Sequence, residues 1–273
     1  MLSINENDIH GFMEAIHNLK GPKLDLIIHS PGGSVESAEA LVTYLRSKFN
    51  FIRIIIPQAA MSAATMLACS ANEIVMGKHS FLGPTDPQFN LNTRLGPMSV
   101  PAQAIIEQFN DAKKEYLESP ENLAVWFPIL EQYGPALLRQ CKNAGDLSKI
   151  LVAQWLEKYM FAEEDEANEK AGHIAEILSD HEMFKSHRRH ISRQDAEDMG
   201  LKIIRLENDQ KLQDLVLSVH HATSITFSAT PAAKIIENHL GKAYVQLEQQ
   251  IVISTPPGYD PTKPKPRKRT KNK

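Results

Sequence analysis

The chain has 273 residues, of which 42% are hydrophobic and 23% charged, which excludes wholesale disorder and leaves room for one large α/β domain with appendages or two small domains. Its formal net charge of -3 gives no electrostatic case for nucleic acid or an anionic membrane as partner. Cys69 and Cys141 lack the CxxC spacing of a zinc or redox site, and no cleavable leader or stretch of roughly 18 apolar residues occurs, so we expect buried thiols and a cytoplasmic protein without membrane association.

The opening Met1-Leu2-Ser3-Ile4 passes almost at once into a helical pattern, so some upstream structure is expected to be missing. Over residues 8–19, Ile9, Phe12, Met13, Ile16 and Leu19 recur at spacings of three and four, the mark of an amphipathic helix. Residues 23–29 form a short apolar run that stops at Ser30-Pro31-Gly32-Gly33, a strand ending in a glycine-dependent turn. A helix over 34–49 carries Ala38, Leu41, Val42 and Leu45 on one face. A second strand over 51–56 stops at Pro57, a small-residue helical stretch follows over 59–69, and a third strand occupies 73–76. This alternation predicts parallel strands joined by right-handed crossovers.

The Pro-, Gly- and Asn-rich stretch 83–101 reads as a long loop or lid, and 102–161 as predominantly helical. Residues 192–201 form a short helix closed by Gly200, leading into a strand over 202–206; 212–250 mixes a helix with a Ser/Thr/Ala-rich stretch that the pattern does not place. From 254 the chain is proline-rich and basic with Tyr259 as its one large apolar residue, the composition of a solvated, disordered tail. We therefore divide the chain into a domain over 1–206, an α/β appendage over 207–253 and a tail over 254–273.

Two junctions carry the chemistry: Ser30-Pro31-Gly32-Gly33-Ser34 after the first strand and Gln58-Ala59-Ala60-Met61-Ser62-Ala63-Ala64 after the second. Both lie at the carboxyl ends of parallel strands, where ligands collect in open α/β sheets, so they should be neighbours in space. Glycines there free backbone N–H groups to meet a developing negative charge, although Pro-Gly-Gly alone is also an ordinary turn. Ser62, among alanines at the start of a helix, is a candidate nucleophile with the Ala63 N–H as oxyanion donor; taken singly such a serine is more often a helix cap.

Together the segments LDLIIHSPGGSVES (24–37), PQAAMSAATMLA (57–68) and ANEIVMGKHSFLGPTDPQ (71–88) resemble the Clp protease/signal peptide peptidase A superfamily. Their "SPGG", "AMSA" and "LGPxDPQ" elements are most similar to the serine dehydrogenase proteinases, a likeness extending over about 8–206. The resemblance implies an α/β fold of the Clp protease/crotonase type, a repeated ββα spiral with a parallel sheet and a helical oligomerisation region. It also implies Ser62 as nucleophile, Gly33 and Ala63 as oxyanion donors, Gly32 with Gly33 along the substrate strand, a polypeptide substrate, and a homo-oligomer joined through 124–161. The implied reaction is acyl transfer through an acyl-enzyme. It needs no ATP, and no GxxxxGK[ST] loop occurs.

Clp-type proteases place a histidine some two dozen residues after the serine, where this chain has Gly83-Pro84-Thr85-Asp86-Pro87. The Clp acidic residue precedes a helix similar to 192–201, and its place is held here by Arg188, beside His187. Signal peptide peptidase A enzymes use a lysine from a later helix instead. Lys113 and Lys114 follow Ser62 by 51 and 52 positions (113 minus 62, 114 minus 62), and helical spacing from Ile105, Ile106 and Phe109 sets Lys113 nearer the buried face. A lysine base requires burial to lower its pKa. Lys113 and Lys114 are thus the candidate bases, His187 the alternative, and Asp86 a turn residue or a group lining the substrate pocket. No His, Cys or carboxylate spacing fits a metal site, and no cofactor is expected. The competing readings are a crotonase-type acyl-CoA enzyme and a catalytically silent scaffold.

Overall fold

The computed structural model describes residues 2–94 and 96–248; the tail read from 254 onward lies outside them. The first helix, α1 (Asp8–Ile16), stops three residues short of the expected 19. Leu19 N–H bonds Ile16 O in a tight turn, and Gly21 at φ +99° followed by Pro22 cannot continue a helix.

Next come β1 (Lys23–Ile27), α2 (Val35–Arg46) and β2 (Phe51–Ile56). Ser34 caps α2 by accepting the Ser37 N–H at 3.1 Å. Residues 59–69, expected to be helical throughout, instead open with a two-residue strand, β3 (Ala59–Ala60), before α3 (Ala63–Cys69). The cause is pairing: β3 lies parallel to β5 (Phe81–Leu82), just beyond β4 (Glu73–Met76).

The lid over 83–101 is a correction. It is largely an antiparallel hairpin of β6 (Gln88–Thr93) and β7 (Gly96–Pro101). Phe89 and Leu91 alternate with asparagines and pack with Val100 on a small second core, which includes Ala102 and Ile105 of α4 (Ala102–Glu118). A 3-10 turn leads to α5 (Leu123–Leu130), which contains Pro128, then to α6 (Leu137–Trp155), which finishes in a π-helical turn. Helices α7 (Ala167–Ser179) and α8 (His181–Phe184) precede β8 (Ile191–Ser192), which pairs antiparallel with β5. Helix α9 (Arg193–Asp198) begins at a capping box formed by Ser192 and Asp195.

The chain then returns through β9 (Ile203–Arg205), α10 (Gln210–Ala229) and a hairpin of β10 (Ala232–Glu237) and β11 (Ala243–Leu247), which together resolve the stretch that periodicity left unplaced. Strands β1-β2-β4-β9 form one sheet in that order, all parallel, as the strand and helix rhythm predicts. On one face Ile54 and Ile74 meet Leu41 and Leu45 of α2, Met66 and Leu67 of α3, and Val152 and Ile174 beyond. On the other, Ile55 and Val75 are covered by Leu206 and by Leu212 and Val216 of α10. The protein is thus α/β with a parallel central sheet. No helix among the described residues is long and apolar enough to cross a membrane.

Candidate active site

The sheet aligns the two glycine and serine junctions. Ser30 and Ala60 form a parallel bridge, with Ser30 N–H donating to Ala59 O and Met61 N–H to Ser30 O, both at 3.0 Å. The chain after β1 is therefore stitched to the residue before Ser62. Gly32 has φ +91°, and a Cβ there would meet Met61 O at 2.4 Å and Ser62 Cβ at 2.7 Å, so only glycine lets the two backbones come this close. Ile4 holds the turn from behind: its N–H donates to Gly32 O at 2.7 Å and its carbonyl accepts the Ser34 N–H at 3.0 Å.

Ser62 sits at the mouth of α3 with φ 52° and ψ -122°, a left-handed conformation that disfavours any side chain. It occupies the cap position, yet its side chain makes no capping bond. The residue is half-buried, and its Oγ has no hydrogen-bond partner among the described residues. Neither Gly33 N–H nor Ala63 N–H donates to a protein acceptor among them, and Gly33 is exposed. The buried Thr65 hydroxyl ties this corner to the next loop, lying 2.7 Å from Ala60 O and 2.9 Å from Gly83 O and accepting the Gly83 N–H at 3.1 Å.

Three residues beyond Gly83, Asp86 is buried, and its carboxylate is fully engaged. Oδ1 lies 2.6 Å from His187 Nδ1, and Oδ2 lies 3.2 Å from His181 Nδ1 and accepts Gln88 Nε2 at 2.9 Å. The position 24 residues after Ser62 (86 minus 62) and the histidine beside Arg188 are thus brought together as a carboxylate–imidazole pair. Sequence reasoning raised Asp86 and His187 separately and missed His181, whose only local signal is its place directly after the α8 cap, Asp180. The loop is fixed from outside by Ser148 of α6, which donates to Thr85 O at 2.9 Å.

Lys113 and Lys114 are both exposed on α4. Phe109, read as marking the buried face, is itself 36% exposed; the buried stripe of α4 is Ala102, Ile105 and Ala112, because the β6–β7 hairpin and α6 cover no more than that. Neither lysine is within hydrogen-bonding reach of Ser62 Oγ, and nor is His187.

Next to the glycine turn, His29 accepts the Ala59 N–H on Nδ1 at 3.3 Å and meets the His220 ring edge-on at 5.0 Å between centroids. Burial pushes the His29 pKa below the usual imidazole value, and burial plus the neighbouring histidines does the same to His220. Complete burial pushes the Cys69 thiol up to about 12, so it is no nucleophile. Among the described residues no cluster of three or more His, Cys, Asp or Glu is arranged to hold a metal ion.

With this geometry in place, the sequence profile of the family described as ClpP-like SDH-type serine proteinase matches residues 4–120. The likeness to that family lies in residues 4–120. The matched segment contains Ser62, Gly32, Gly33, Ala63 and Asp86, along with Lys113 and Lys114, whereas His181 and His187 lie outside it. The chain is similar to two proteins of Methanocaldococcus jannaschii. It is 29% identical to uncharacterized protein MJ0137 over 54% of this chain and 51% of that one, and 36% identical to uncharacterized protein MJ1495 over 32% and 27%. The matched region thus spans about half the length of the first relative and a quarter of the second.

Proposed function

We propose that this chain is an ATP-independent serine peptidase that cleaves polypeptides through an acyl-enzyme on Ser62, within a Clp protease/crotonase spiral. The observation that carries the reading is the backbone at Ser62: a strained serine at a helix mouth, beside two N–H groups that serve no acceptor among the described residues. Strain of this kind persists where surrounding structure holds it, and it clusters at functional sites. The small β3-β5-β8 sheet beside the parallel β1-β2-β4-β9 sheet supports the spiral assignment.

In this mechanism Ser62 Oγ attacks the peptide carbonyl while its proton passes to a base. The carbonyl oxygen becomes an oxyanion held by Gly33 and Ala63 N–H groups. Collapse breaks the C–N bond, the base returns its proton to the leaving amine, and water then hydrolyses the ester by the same route. We assign the base to His187. Asp86 on Nδ1 leaves Nε2 as the proton acceptor, which is the orienting role of a carboxylate in such triads. Closing Nε2 onto Ser62 is a step that follows substrate binding, since catalytic hydrogen bonds often tighten only in the complex. The exposed Lys113 and Lys114 lack the burial that would lower their pKa. A homo-oligomer is supported by α5, where Val125 is 74% and Phe127 58% exposed on a helix that buries nothing within the chain.

Casein degradation by the purified protein tests the reading. Ser62→Ala should abolish it. His187→Gln should lower the rate by about 10²–10⁴, the usual contribution of a general base, while the Lys113→Met/Lys114→Met double variant stays near wild type. Loss of activity in the lysine variant with activity retained in His187→Gln would transfer the base to lysine.

A further inference from the structure

Asp86 holds two imidazoles, and the mechanism above uses one. Among the described residues Oδ1 meets only His187 Nδ1, at 2.6 Å, whereas Oδ2 is shared between His181 Nδ1 at 3.2 Å and Gln88 Nε2 at 2.9 Å. A carboxylate accepts, so each ring donates from Nδ1 and keeps Nε2 as an acceptor. Neither Nε2 has a hydrogen-bond partner among the described residues. The Asp86 side chain is 4% exposed, that of His181 13% and that of His187 20%, so the ring left unused is the more enclosed of the two.

The two histidines reach the carboxylate from unequal supports. His181 opens α8, which Asp180 caps by accepting the Met183 N–H at 3.1 Å and which Phe184 anchors in the main core. Lys185, at φ 59°, then turns the chain, its N–H donating to His181 O at 2.7 Å, and the His187 ring beyond it has Asp86 as its hydrogen-bond partner. The loop carrying Asp86 is fixed at Thr85, whose N–H donates to Leu178 O at 2.7 Å and whose carbonyl accepts the Ser148 hydroxyl. Its backbone is thus set, but the terminal torsion of an aspartate is soft and two-fold. Gln88 is two positions along the same segment and turns with it; His181 arrives from 95 positions on and locks the carboxylate plane to a separate element.

We infer that His181 is a positioning residue for the Ser62 reaction. By holding Asp86 Oδ2 it fixes the carboxylate plane, so that Oδ1 stays on His187 Nδ1 and Nε2 of that ring remains the proton acceptor. His181 takes no proton from Ser62 and acts through Asp86 alone, as a support that keeps a reacting group in one tautomer and one orientation. The inference rests on the peptidase reading with His187 as base.

The test uses the full chain and fluorescein-labelled casein. His181→Leu removes the donor and should lower kcat about 10–100-fold with KM within about twofold, because misplacement of the base acts on the transition state rather than on binding. His181→Asn puts an amide N–H where Nδ1 stood and should recover the rate to within about fivefold of wild type. In the His187→Gln background His181→Leu should cost less than about twofold, since the ring it positions is already gone. The downfield Nδ1 proton of His187, assigned by its absence in His187→Gln, should vanish from the NMR spectrum of His181→Leu and persist in His181→Asn and in Ser62→Ala. His181→Ala takes the place of the leucine variant should that variant not fold. Full activity in His181→Leu beside the loss in His187→Gln overturns this inference and leaves the peptidase reading standing. So does an equal loss in His181→Asn, which would make the ring itself necessary, or the same loss on both backgrounds, the mark of a merely structural role. Full activity in His187→Gln, or none in the wild type, overturns the reading and the inference together.

Discussion

The left-handed backbone at Ser62 should be measurable as stored strain. With φ 52° and ψ -122°, the residue occupies a conformation that costs a side chain about 1–3 kcal/mol and glycine almost nothing. Ser62→Gly and Ser62→Ala both delete the hydroxyl, which has no hydrogen bond to lose among the described residues, so their difference isolates the strain. Against the relief stands the larger conformational freedom of glycine in the unfolded chain, about 0.4–1 kcal/mol. Taking mid-range values, about 2 less about 0.7, the glycine variant should therefore be more stable than the alanine variant by about 1.3 kcal/mol, or roughly 3–5 °C in melting temperature for a chain of this size. Urea titration with matched slopes, or calorimetry, reads the difference. A glycine variant no more stable than the alanine variant would refute the reasoning, because the turn would then hold its serine without cost.

Thr65→Val should cost about 1–3 kcal/mol, since it leaves the buried Gly83 N–H without its acceptor, and calorimetry with serine-probe labelling should show stability and labelling rate falling together. His29 and His220 titrate below the usual imidazole range when folded, so the unfolded chain protonates first. Their contribution is complete above about pH 6.5 and is lost as pH falls through the lower folded values; urea midpoints across this window should decline for wild type and flatten for His29→Gln/His220→Gln. Phe127→Asp places a charge on the most apolar exposed helix and should shift the protein to smaller species in analytical ultracentrifugation without lowering its melting temperature.

The central sheet was legible because LDLII and FIRIII are short runs rich in branched apolar residues between turn residues, although only the inner strands β2 and β4 are buried on both faces. The adjacency of the Gly33 and Ser62 turns followed from parallel topology alone. The β6–β7 hairpin was hidden because Asn90, Asn92, Pro97 and Pro101 read as loop residues while only Phe89, Leu91 and Val100 carry its pattern. The lysine hypothesis relied on helical periodicity, which gives a direction but not the width of the surface that covers a helix; α4 is covered too narrowly to bury Phe109. The Asp86 contacts with His181 and His187 join residues 95 and 101 positions apart, and no spacing rule reaches across such distances. Fold alone brings them together.

The most direct measurement is mass-spectrometric mapping of a fluorophosphonate adduct on the folded, purified chain. The account predicts one adduct per chain, on the peptide carrying Ser62, with none in Ser62→Ala. An intact preparation that takes up no probe, or takes it up elsewhere with Ser62 unmodified, contradicts it.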